Sequence, residues 1–268
     1  GHSGAAGQIV RGKVSPEGAL AMHANALAAL SADISGLFPE GSDFGETRAK
    51  EEIWSDRAAF DKAADDAKTA TAAFAAAVAL AKRGARIVLL GRSPDRLEAK
   101  VDLVRVALSE AQIDYQDADI ATLVIDFSDM ESVRLAAKEA MNRFPMIHGL
   151  ILSVAVTVQH GPNILPSGHE VMFATNVMGP FLFTQLLLER MQQSDGLVLH
   201  VINPSSRAQI DWDDLESLKD HKTNIAYERT KTMHRVIAGE MARRYAGKIC
   251  SVAFDPAFII DKNDPELE

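Results

Sequence analysis

Tyr227 and Lys231 stand four residues apart, a spacing that puts a phenol and an ammonium on one face of a helix. A nearby ammonium lowers the pKa of a phenol, so such a pair can give or take a proton near neutral pH. Upstream, Asn203-Pro204-Ser205-Ser206 closes an apolar run, and a hydroxyl at a strand end could polarise a substrate carbonyl. The chemistry these residues suit is proton transfer to or from a carbonyl oxygen, with Ser206, Tyr227 and Lys231 as its carriers. Tyr-x-x-x-Lys alone is weak and occurs by chance in many helices. It gains weight from Ser205-Ser206 before it and from Phe173-Ala174-Thr175-Asn176-Val177-Met178-Gly179 on the preceding helix, which adds Asn176 as a candidate.

The elements that must position these residues alternate. From Ala85 onward, apolar strands are predicted at 86–90, 122–127, 148–156, 197–203 and 249–254. Helices are predicted between them: one capped by Ser93-Pro94-Asp95 and reaching Ala111, then 129–144, 170–191 and 226–245. Strands alternating with helices of this length give a parallel sheet with helices on both faces. Residues 15–83 have another texture, rich in Ala and without a convincing strand. Ser15-Pro16 opens one amphipathic helix. A second runs from about Ala49 to Arg83, where Gly84 can supply a left-handed cap. The predicted fold class is α/β, a truncated Rossmann-like doubly wound parallel sheet preceded by a long α-helical hairpin. The boundary divides a helical segment, 1–78, from an alternating strand–helix domain, 79–268.

Composition narrows the function classes. The net charge of −9 disfavours phosphate backbones, so no nucleic-acid partner is expected. No apolar run is read as approaching the ~20 residues that span a bilayer, so no membrane partner is expected either. The single Cys250 allows no disulfide within the chain, lies in an apolar run read as a buried strand, and fits a reducing, cytoplasmic setting. Among eight histidines, none has a compact metal-ligand spacing, and no metal residues are assigned. His160, His169 and His221 fall in or near loops that could meet in space.

With these residues in view, positions 79–261 resemble the short-chain dehydrogenase/reductase family. Ala79 to Arg92 is similar to the end of that family's first helix and its second strand. Asp126-Phe127 is similar to its adenine contact, and Asp255-Pro256-Ala257 to the segment beside the nicotinamide. The resemblance implies Ser206, Tyr227 and Lys231 as the catalytic trio and Asn176 as the holder of a proton-relay water. It implies Arg92, Asp126, Phe127 and Ser153 at the cofactor. An Arg after the second strand suits a 2′-phosphate, so the implied cofactor is NADP, acting on a small-molecule substrate.

The departures from that pattern are specific. The family's glycine-rich turn, whose backbone reaches the pyrophosphate, has no counterpart here, since Phe74–Val78 runs straight into Ala79. The family's Asn-Ala-Gly is replaced by Ser153-Val154-Ala155, and a family glycine by Ala257. Leu37-Phe38-Pro39-Glu40-Gly41-Ser42-Asp43, with Thr47-Arg48-Ala49-Lys50 and Ile53-Trp54, resembles two helices of a cytochrome c′ bundle. With one Cys, covalent haem attachment of that type is not expected. The chain thus reads as a chimera: bundle helices joined mid-helix to a reductase truncated at both ends.

In the strand order 3-2-1-4-5-6 the lost strand is the central one. The strands at 86–90 and 148–156 then either pair directly or receive another segment, such as Gln8-Ile9-Val10 exchanged between chains. Exposed edges favour a homo-oligomer. Three functions follow: an NADP-dependent oxidoreductase with an impaired cofactor site; an enzyme with a new hydrolytic, metal-assisted activity; or a folded chimera without catalysis.

Overall fold

The computed structural model describes residues 76–116, 119–158, 161–202 and 208–254. Most of the predicted helical hairpin, the Gln8–Val10 segment, His160, Ser206 and Asp255-Pro256-Ala257 lie outside the described residues. The chain divides into two compact units, Gly1–Asp126 and Phe127–Glu268.

In the first unit, a helix covering 76–81 ends as expected at Gly84, whose φ of +82° is the left-handed conformation glycine tolerates best. Strand β1, Ile87–Gly91, follows. Helix α1, Pro94–Glu110, starts where the Ser93 hydroxyl accepts the Arg96 N–H at 3.4 Å. Strand β2, Ile120–Val124, pairs in parallel with β1, Ile87 opposite Ile120. Ile87 and Ile120 pack with Val101, Val104 and Leu108 of α1, so this small sheet buries one face under its own crossover helix.

In the second unit, helix α2, Met130–Arg143, is capped by Asp129, whose carboxylate accepts the Glu131 N–H at 2.9 Å. Strand β3 is Gly149–Leu152, and α3 runs over Val171–Gln192. Strand β4, Leu197–Val201, helix α4, Thr223–Arg244, and strand β5, Cys250–Phe254, complete the unit. The ladder order is β3-β4-β5, all parallel. Helix α2 packs on α3, and α4 on β4 and β5.

The fold is α/β with parallel sheets, as predicted, and four differences from the sequence reading have physical causes. First, the described strands form two sheets, β1-β2 and β3-β4-β5, so direct pairing of the 86–90 and 148–156 strands is not among their ladders. Second, β3 stops at Leu152, because the backbone of Val156 is hydrogen-bonded to a side chain of α3 and not to a neighbouring strand. Third, Cys250 is exposed and not buried, since β5 is bonded on only one side by a described strand. Fourth, α3 is long and apolar enough to cross a membrane, with a mean hydropathy of 1.5, contrary to the reading of no such run. Much of that apolar surface, including Phe183, Leu187 and Met191, is buried within the protein, as in a core helix.

Candidate active site

Helix α4 places Tyr227 and Lys231 one turn apart, as their spacing requires, and buries both. The Lys231 ammonium lies 5.8 Å from the centre of the Tyr227 ring and donates to the Val201 carbonyl at the end of β4, at 3.4 Å. Tyr227 packs with Met172 and Ala226, and with Ala155 and Val156 of the segment after β3. The surroundings of the phenol are therefore apolar on that side, which strengthens any charge interaction made there.

Asn176 joins this group from α3 and is fully buried. Its Oδ1 accepts the Val156 N–H at 2.7 Å, and its Nδ2 donates to the Val156 carbonyl at 2.9 Å and to Thr230 Oγ1 at 3.3 Å. Thr230 Oγ1 donates in turn to the Tyr227 carbonyl at 2.7 Å. One amide thus ties the loop after β3 to the turn of α4 that carries the phenol. Helix α3 is not uniformly α-helical here: Ala174–Met178 forms a π-turn, a distortion that recurs at functional sites. Gly179 follows, and a Cβ there would stand 2.1 Å from the Phe127 carbonyl oxygen, so only glycine permits this approach.

The remaining predicted residues are distributed. Ser153 is half-buried just past β3. Phe127 packs edge-on to Phe183, with ring centres 5.9 Å apart. In the first unit, Arg92 is exposed one residue beyond β1, and Asp126 is half-buried beyond β2. Ser206 lies outside the described residues. Of the loop histidines, His169 Nδ1 is 3.0 Å from a Glu216 carboxylate and His221 Nδ1 is 3.1 Å from the Ser217 carbonyl, while His160 lies outside the described residues. Among the described residues, no three His, Cys, Asp or Glu side chains could hold a metal ion.

A nicotinamide dinucleotide can be tested against these residues. The pair Tyr227 and Lys231, with the Asn176-clamped loop beside it, offers a buried phenol and a cation to the reacting end. The rest of the cofactor fits less well: Val154 and Ala155 stand where the resembled family has Ala and Gly, and no glycine-rich turn precedes β1 among the described residues.

Sequence reasoning missed His200 and His234. Both are buried, their Nδ1 atoms are 3.2 Å apart, and His234 Nε2 is bonded to the Asn176 carbonyl. Burial pushes the pKa of His200 down to about 4. Burial first, and then the charges of Lys231 and His200, push that of His234 down to about 3. Glu170, buried at the start of α3, is shifted upward by burial, partly offset by the backbone N–H groups it accepts.

A family model described as short chain dehydrogenase matches residues 69–213, and one described as Cytochrome C′ matches residues 1–87. Retinol dehydrogenase 12 of Mus musculus is 29% identical over 188 residues, covering 68% of this chain and 56% of that protein. The chain spans little more than half the length of such relatives. A mutant short-chain dehydrogenase/reductase of Serratia marcescens superposes with a TM-score of 0.52 at 19% identity, covering 67% of this chain and 66% of the other. A gluconate 5-dehydrogenase of Burkholderia cenocepacia, solved with NADP and tartrate, superposes with a TM-score of 0.50 at 21% identity, covering 67% and 64%. At such identities the two structures speak for the fold alone.

Proposed function

Because the chain belongs to the short-chain dehydrogenase family, we propose that it is an NADP-dependent oxidoreductase interconverting a carbonyl and an alcohol, with weakened hold on its cofactor. The observation that carries this reading is the convergence of Tyr227, Lys231 and Asn176 in one buried group. The cofactor supplies or accepts the hydride. Tyr227 gives its phenolic proton to the carbonyl oxygen, or takes it back in the reverse direction. The Lys231 ammonium stabilises the phenolate so formed. Asn176 keeps the loop after β3 in place beside the phenol. Ser206, by its family match, orients the carbonyl.

Arg92, exposed beyond β1, supports a 2′-phosphate and hence NADP; the gluconate 5-dehydrogenase was solved with that cofactor. Weak binding follows from the absent glycine-rich turn, which forgoes several charge-assisted hydrogen bonds of about 1.5–3 kcal/mol each. The two family models overlap over residues 69–87, which supports a chimera joined near Val78. We further infer a cytoplasmic setting, on the strength of the lone Cys, and a homo-oligomer, on the strength of exposed strand edges. Titration with NADPH and NADH tests the reading: saturable binding tighter for NADPH, with carbonyl-dependent oxidation, is expected. No binding of either at millimolar concentration refutes it.

A further inference from the structure

Helix α3 carries a buried carbonyl, that of Asn176, which has no i→i+4 main-chain donor and lies in a π-turn of i→i+5 register. In an α-helix the carbonyl of residue 176 would accept the N–H of residue 180, but residue 180 is proline and has none. A buried carbonyl left unpaired is costly. The protein meets this need from α4: His234 Nε2 reaches the Asn176 carbonyl. A carbonyl can only accept, so Nε2 must carry the proton. In a neutral His234, Nδ1 is then a lone pair, and it must accept the Nδ1–H of His200 at 3.2 Å. The tautomers of both rings are thereby determined, leaving the buried His200 Nε2 as an acceptor that no donor among the described residues meets.

We propose that His234, its tautomer set by His200, is a positioning residue that caps the Asn176 carbonyl, which Pro180 cannot serve, and so holds the Asn176 π-turn in its site geometry. The inference rests on the oxidoreductase reading for its kinetic consequence only. The Asn176 side chain clamps Val156, and Thr230 links that clamp to the Tyr227 turn. Any rotation of the π-turn therefore moves the loop beside the phenol. Burial and the Lys231 charge keep His234 neutral through the physiological range, which the lone pair at Nδ1 requires.

Two measurements decide it. In labelled wild-type protein, long-range nitrogen–proton correlation should show His234 protonated at Nε2 and His200 at Nδ1, neither titrating between pH 8 and 5.5. The opposite tautomer at His234, or titration of either ring near pH 6.5, overturns the proposal. The second measurement compares H234L and H234Q with wild type, and H234L again in a P180A background, where position 180 regains a main-chain donor. H234L should lower kcat about tenfold with KM within about threefold, the loss of roughly one hydrogen bond's worth of alignment. H234Q, which keeps a donor near Nε2, should recover to within about threefold, and P180A should shrink the H234L loss to a similar size. An H234L loss equal in both backgrounds refutes the capping role.

Should the wild type turn over no carbonyl with NADPH, the oxidoreductase reading fails alone. The same variants are then read by amide exchange at Val156, about tenfold faster in H234L and unchanged in H234Q if the proposal holds. Unchanged exchange in H234L overturns it.

Discussion

The buried imidazole pair makes stability in the second unit depend on pH in a way that can be worked out in advance. Both rings have folded pKa values below the ordinary 6.5, at about 4 for His200 and about 3 for His234. The unfolded chain therefore binds protons first as pH falls. Stability is full above pH 6.5, declines as pH drops below it, and stops declining only near the folded values. At pH 5, each unfolded imidazole gains about 2 kcal/mol from protonation that the folded ring cannot share, so the pair costs about 4 kcal/mol relative to pH 7.5.

Glu170 acts in the opposite sense. Its folded pKa is raised, so its ionisation penalty is relieved as pH falls, and the wild-type curve is shallower than the pair alone would give. Asp214 and Glu240 have lowered pKa values, and their contributions fade only below the ordinary carboxylate range, beneath this window. Comparison with His200→Gln cancels all three carboxylates. The variant should lose about 2 kcal/mol less than wild type between pH 7.5 and 5, because one proton-binding group is gone. The assay is urea unfolding at both pH values, read through β4 resonances so that it reports on the second unit. A wild-type and variant difference below about 0.5 kcal/mol, against the ~2 expected from linkage, would refute the assignment of a neutral buried pair.

Three further outcomes are expected. Tyr227→Phe should reduce carbonyl turnover by about 10²-fold or more while leaving cofactor affinity within about threefold, since only the proton donor is removed; steady-state kinetics with NADPH check it, and retained turnover would sink the assigned role. Arg92→Ala should weaken NADPH binding by about tenfold and NADH binding hardly at all, as loss of a charge-assisted contact to the 2′-phosphate predicts; equal effects on both would exclude that contact. Gly179→Ala forces a Cβ to 2.1 Å from the Phe127 carbonyl, so α3 must shift, at a cost of about 2–3 kcal/mol in urea unfolding; a neutral result would show that the helix has room to move.

What the sequence revealed, and what it hid, divides along the line between local and tertiary causes. Ser93 announced its helix because capping is a property of three or four consecutive residues, and the structure shows the bond. Tyr227 and Lys231 share a face because helical periodicity alone decides it. The ends of strands are another matter. Residues 148–156 form one apolar run, yet β3 stops at Leu152 because Asn176, on another element, claims the Val156 backbone. The exposure of Cys250 likewise depends on which strand lies beside β5, which no local pattern records.

The His200–His234 pair is the most instructive omission, because half of its signal was present. Asn176-Val177-Met178-Gly179-Pro180 states that a helix will continue past a residue unable to donate, so the carbonyl of Asn176 loses its i→i+4 donor and is open to a partner on another element. Which partner answers cannot be read locally, since His234 lies 58 residues further on and reaches the carbonyl only once α4 packs beside α3. Proline inside a predicted helix is usually read for the kink it makes. Read instead for the acceptor it leaves behind, it narrows the search to the few residues on neighbouring elements that carry a donor and no competing charge. Lys231, on the same helix, is already bonded to the Val201 carbonyl, and Thr230 gives its hydroxyl proton to Tyr227. His234 is the donor that reaches the carbonyl, and it is a ring whose second nitrogen must then be satisfied, which is what His200 does.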